Sequence, residues 1–148
     1  MSFAKVKISG VPQLKTKLRN IAERVPATAR KVMHRGADKI VAQSQLQCPE
    51  DKGNLVESIH QETTYEQRGR LAIDIVAGGT VNGVDVDEYA TLIHENYESM
   101  KPGPITLAKM AANPGIVIGS KFIQRAVDAA EPVLEKSMIE ATEVELQV

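Results

Sequence analysis

The sequence predicts an α+β domain in which an N-terminal helical hairpin and a C-terminal helix pack on a small antiparallel β-sheet. Three observations predict it. Apolar residues recur at three- and four-residue intervals toward both ends of the chain. Apolar and β-forming residues alternate with polar ones through the middle, and glycine-containing turn signals punctuate that stretch. With 148 residues and 43% apolar content, the chain suits a single domain, 1–148, that buries a real core without staples.

Residues 3–9, FAKVKIS, alternate loosely and can add a short strand before Gly10. Val11, Leu14, Leu18, Ile21 and Val25 then form one helical stripe, with Pro12 suited to the first turn. Pro26 is expected to break this helix and open a second one, whose broad apolar face comprises Ala29, Val32, Met33, Gly36, Ala37, Ile40, Val41 and Ser44. Together they would make the hairpin.

The segment from Cys48 to Ile59, CPEDKGNLVESI, stops the chain, turns it and restarts it. Pro49 forces Cys48 out of the α region, Gly53 can take a positive φ, and Asn54 with Glu57 matches a capping box. One helical turn should give way to a strand through Ile59, Gln61, Thr63 and Tyr65. Gln67 to Gly69 reads as a turn, and Leu71 to Val76 as the return strand, ending at Gly78-Gly79. Asn82-Gly83 is a second hairpin signal, because both residues tolerate the positive φ of a type I′ turn.

The run DEYATLIHE from Asp87 has acids in its first turn and Tyr89, Leu92 and Ile93 on one side, which suits a short helix. Residues 96–119 hold three prolines and three glycines, so the longest irregular loop is placed there, with a helical turn over Thr106 to Ala112. Ser120 can cap a last helix with an apolar face including Phe122, Ile123, Ala126, Val127, Val133, Leu134 and Met138. Pro132 should kink or interrupt it.

Net charge is only −1, but its distribution is polarised. Residues 1–48 carry ten Lys/Arg and two acids, whereas residues 49–148 carry eight Lys/Arg and seventeen acids. Such a chain suits a polyanion, pairing with copies of itself, or neutralisation within one subunit. Lys31, Arg35 and Lys39 form a ridge at four-residue spacing, and Lys15 and Arg19 a similar pair. These five are candidates for an interface or for DNA contact. Aromatic content of 3%, without Trp, argues against base-stacking recognition and leaves non-specific electrostatic contact.

Signals for catalysis are weak. His94-Glu95 begins an HExxH pattern, but Glu98 stands where the second histidine belongs, and His34 and His60 lie elsewhere, so no metal-ligand spacing exists. Cys48 ends an apolar helix face and reads as a small core residue rather than a nucleophile. No phosphate loop, dinucleotide fingerprint or nucleophile elbow occurs, so no cofactor is expected and an enzyme is the weakest class. The single cysteine and the lack of a leader or long apolar run favour a reducing cytoplasm over secretion or a membrane.

Three segments together resemble the neck, or tail-completion, proteins of long-tailed bacteriophages of the lambdoid head-tail joining type. CPEDKGNLVESI, with Pro49, Gly53, Asn54, Leu55 and Ser58, is similar to the family's "P, two residues, T/S-G-N-L, two residues, S-I". Tyr89, Ala90 and Glu95 match its "Y-A, three residues, E" only loosely, because four residues separate Ala90 from Glu95 here. Phe122 and Ala126 in KFIQRA are similar to its "F-L, two residues, A". The segments keep the family's order and span nearly the whole chain. Lys52 departs from the usual Thr or Ser, which removes a side-chain cap, and the stretch between Asn96 and Gly119 is longer than typical.

The resemblance implies a non-enzymatic virion protein, assembled in the host cytoplasm, that forms a ring, commonly of six copies, between head connector and tail tube. Its partners would be copies of itself, connector or tail-tube proteins, and DNA passing through the channel. Two other classes remain open on the residues: a non-specific DNA-binding module using the basic N-terminal helices, and a small hydrolase using Cys48 or His94.

Overall fold

Residues Val11–Gln47 form one helix, α1, 37 residues long, with Pro26 inside it. The computed structural model describes residues 9–65 and 70–147. The expected break at Pro26 is therefore absent, and so is the N-terminal hairpin. An interior proline costs a helix about 3 kcal/mol. Here the neighbouring turns are tied to the last helix, α5 (Phe122–Leu146), on both sides of the proline. Arg24 Nε lies 3.6 Å from a Glu145 carboxylate oxygen, and Thr28 Oγ1 donates to the other at 3.1 Å. Pro26 and Ala22, whose carbonyl loses its donor, are both exposed.

Helix α5 likewise continues through Pro132, which is exposed. It runs antiparallel to α1: Thr28 meets Glu145, Gly36 meets Leu134, and Gln47 meets Arg125. The helical pair of this fold thus joins the two ends of the chain. Because α5 ends opposite Arg24, the first turns of α1 extend past it, and residues 9–20 are exposed throughout.

After Cys48 the chain turns and forms the short helix α2 (Asn54–Ser58). Gly53 has φ +85° and takes the N-cap position, as its sequence context suggested. The capping box does not form. Asn82 Nδ2 instead donates to Asn54 Oδ1 at 3.1 Å and to Glu57 Oε2 at 3.2 Å, occupying both side chains of the box. A Cβ on Gly53 would meet nothing closer than 3.8 Å, so its requirement is conformational. Gly53→Val should therefore cost at least about 1–2 kcal/mol through the left-handed backbone. Lys52→Thr, at an exposed position, should stay within about 0.5 kcal/mol. Urea denaturation of the two variants checks this, and equal midpoints would mean that the turn does not depend on the left-handed residue.

Strand β1 (Ile59–Tyr65) pairs antiparallel with β2 (Leu71–Ala77), Ile59 opposite Ala77 and Tyr65 opposite Leu71. Strands β3 (Thr80–Val81) and β4 (Val84–Asp85) form a separate ribbon around Asn82 and Gly83, whose φ values of +51° and +76° fit the expected type I′ turn. The single sheet anticipated is thus two two-stranded ribbons. Helix α3 (Asp87–Asn96) leads through a 3-10 turn (Tyr97–Ser99) to α4 (Pro104–Ala112), a fuller helix than the turn expected inside the loop. Ser120 does not cap α5. Lys121, at φ +59°, precedes the helix, and the Ser120 hydroxyl accepts from the Glu98 N–H at 3.2 Å. The strand expected over 3–9 lies, apart from Ser9, outside the described residues, as does the turn at Gln67 to Gly69.

The core sits at the C-terminal end of α1. Cys48, Leu55, Ile59, Val86, Ala90 and Phe122 form one buried cluster, with Tyr89, Ile93 and Ile123 packed against it.

Candidate functional site

Helix α1 bears eight lysines and arginines against only Glu23 and Asp38. Lys15, Arg19, Lys31, Arg35 and Lys39 are all exposed, so each sequence candidate reaches the surface. They do not form one cluster. Twelve residues separate Arg19 from Lys31, which turns the ridge about 120° around the helix from the Lys15 and Arg19 pair. Lys15 and Arg19 lie on the part of α1 beyond α5, whereas the ridge runs alongside α5.

Arg35 and Lys39 border a groove of about 410 Å³ between α1 and α5. Val32, Gly36 and Ile40 line it from α1, and Ala130, Val133 and Leu134 from α5. The helices approach closely at Gly36, where a Cβ would stand 2.6 Å from Leu134 Cδ1. The groove is therefore an apolar seam with a cationic rim.

The end of α1 is anchored by residues that the sequence did not single out for this role. No basic side chain lies in its last turn, although a cation there would oppose the partial negative charge of the helix terminus. Lys109 of α4 supplies it: its ammonium donates to the Gln45 carbonyl at 2.7 Å and the Cys48 carbonyl at 2.8 Å, and lies 3.5 Å from Glu50 Oε2. Thr106 Oγ1 donates to the Glu50 carbonyl at 2.8 Å and accepts from its N–H at 3.0 Å. The Gly119 N–H donates to the Gln47 carbonyl at 3.1 Å. Arg125 donates to Gln47 Oε1 at 3.0 Å, to the Val117 carbonyl at 3.1 Å and to the Ser120 carbonyl. Residues 96–119 thus brace α1, and the only sequence signal for this was the loop's unusual length.

The three segments that carried the family resemblance meet around this anchor. Pro49, Asn54, Leu55 and Ser58 are buried, and the Ser58 hydroxyl donates to the Leu55 carbonyl at 2.7 Å. Ala90, Phe122 and Ala126 are buried, and Tyr89 is half-buried. Glu95 is exposed and pairs with Lys121, while His94 Nδ1 lies 2.8 Å from its carboxylate. The Lys121 hydrogen bond, then that of His94, holds the Glu95 carboxyl below its usual range.

The catalytic candidates have structural settings. Cys48 is fully buried, its Sγ lies 3.3 Å from the Pro49 carbonyl, and desolvation pushes the thiol up to about 12 against the opposing pull of Lys109. It is protonated at neutral pH. The His94 ring meets Phe122 edge-on, with centroids 4.9 Å apart at 76°, and His60 Nδ1 lies 2.6 Å from the Ser58 carbonyl. Among the described residues no group of three or more His, Cys, Asp or Glu side chains is placed to hold a metal ion. No helix among them is long and apolar enough to cross a membrane.

A cleft of about 580 Å³ opens beside the Cys48 to Ile59 joint, lined in part by Pro49, Lys52, Asn54, Tyr89, Tyr97 and Lys101. Comparison of the chain with family models, curated proteins and solved structures found no match.

Proposed function

We propose that this chain is a structural subunit of a ring at the head-tail neck of a long-tailed phage, completing the tail or joining it to the head connector. The observation that carries this reading is convergence. Segments around 48–59, 89–95 and 121–126 were matched to the family as short strings, and their buried members Cys48, Leu55, Ile59, Ala90 and Phe122 belong to one core cluster. Buried apolar residues of one domain share a core in any case, so the weight lies with the polar and turn members Pro49, Gly53, Asn54 and Ser58, which together shape the joint beside that core. Charge supports the ring. Helix α1 is basic, whereas α5 carries six acids against Arg125 and Lys136, so one subunit presents unlike surfaces to its neighbours.

Native mass spectrometry and negative-stain imaging of the concentrated protein test this reading. Closed rings, of six copies if the resemblance holds in full, are expected. A chain that stays monomeric and is missing from purified virions would refute it.

A second reading is non-specific DNA binding, favoured by the exposure of Lys31, Arg35 and Lys39 along one ridge. It expects duplex affinity that falls steeply with salt and further when the three are replaced by glutamine. Absence of binding at low salt removes it.

A further inference from the structure

The N-terminal arm of α1 has an apolar stripe whose first three members, Val11, Leu14 and Leu18, no described residue covers. Every residue from 9 to 20 is exposed, including Leu14 and Leu18 at 56% each. Val11, Leu14, Leu18, Ile21 and Val25 nevertheless follow the alternating three- and four-residue spacing of a two-helix seam. Lys15 and Arg19 flank the stripe on one side and Lys17 on the other. A stripe at this spacing with charges on both flanks is the form of a helix–helix seam, so it calls for a partner. The arm cannot fold back onto its own α5, because it continues the unbroken axis of α1 past the point where α5 ends.

The outer side of α5 has the complementary character. Ile139 and Leu146 are exposed and seven residues apart, hence on one side of the helix. Glu135 and Glu143, four residues before and after Ile139, are exposed on the same ridge, whereas Lys136 is engaged with Glu140 at 3.8 Å. Where the arm leaves the helical pair, the same charges already meet within one subunit, as Arg24 with Glu145.

We infer that the arm of α1 docks antiparallel on the outer side of α5 of a second copy of this chain, with Val11 and Leu18, seven residues apart, against Leu146 and Ile139. Lys15, Lys17 and Arg19 then face Glu135 and Glu143. The contact joins two different surfaces, so it propagates from copy to copy and closes as a ring when the rotation allows. Ring closure rests on the neck-ring reading, whereas the pairing of arm and α5 does not.

The test is a charge swap on the full chain, read by mass photometry and sedimentation at low salt, with circular dichroism as the control for folding. The set K15E, K17E and R19E, and separately E135K with E143K, should each weaken assembly by about tenfold or more. A chain carrying both sets should reassemble, because opposite charges again face each other. Assembly indifferent to either set, or not restored in the combined chain, overturns the docking and leaves the neck-ring reading standing. Assembly only as a reciprocal pair that the single sets split upholds the docking and overturns the ring. A chain monomeric at every concentration overturns the docking, and its absence from purified virions as well overturns the neck-ring reading.

Discussion

Phe122→Ala should lower the stability of the chain by about 3–5 kcal/mol, the range for removing a buried aromatic ring. Phe122 has no solvent exposure, is one of two phenylalanines in a chain without tryptophan, and opens α5 in the midst of the core cluster. Its ring lies edge-on to His94 and belongs to the same cluster as Cys48, Leu55, Ile59, Val86 and Ala90. These neighbours come from the end of α1, α2, the start of β1 and α3, so they cannot all close on the void without moving several elements. Urea denaturation followed by far-ultraviolet circular dichroism measures the loss. Phe122→Leu should recover a large part of it, because it refills most of the volume. A loss below about 1 kcal/mol for the alanine variant would mean that the cluster is not the core that holds the fold.

Lys109→Met should cost about 2–4 kcal/mol. Methionine keeps most of the apolar stem, so the change isolates the ammonium, whose side chain is 13% exposed. Its removal leaves the Gln45 and Cys48 carbonyls without this donor and Glu50 without its cation. Charge-assisted hydrogen bonds are worth about 1.5–3 kcal/mol each, and a cation at a helix C-terminus adds about 0.3–1 kcal/mol. The sum is reduced because water can reach part of the site. Lys101→Met, at an exposed position, is the control and should fall within about 0.5 kcal/mol. Hydrogen exchange should also accelerate at the end of α1 in the Lys109 variant. Unchanged stability together with unchanged exchange would show that α4 does not brace α1.

Both variants act on the junction that the Cys48 to Ile59 segment was expected to build. The turn itself was legible. Pro49 and Gly53 act through their own backbone preferences, and Gly53 adopts the positive φ that its place between a proline and a helix start suggested. The Asn82-Gly83 turn and the short helix from Asp87 were legible for the same reason, since their signals are contained within a few neighbouring residues. The α+β class followed from periodicity together with the turn signals between the strands.

Errors arose wherever a local signal met a distant partner. Asn54 and Glu57 form a capping box on paper, but Asn82 offers their side chains another donor from 28 and 25 residues away. Ser120 is a plausible cap until the Glu98 N–H occupies its hydroxyl. Lys109 carried no signal, because a single lysine within a loop says nothing about carbonyls some 60 residues earlier.

Sequence alone determined the turns at Gly53 and at Asn82-Gly83, the periodic faces and the division of the chain into a basic first third and an acidic remainder. Those properties belong to single residues and their near neighbours. Only the tertiary structure decided that Pro26 lies within a continuous α1. Helix α5, from the far end of the chain, reaches α1 on both sides of the proline, through Arg24 and Thr28. That same packing, by ending opposite Arg24, leaves Val11, Leu14 and Leu18 of the arm uncovered by any described residue.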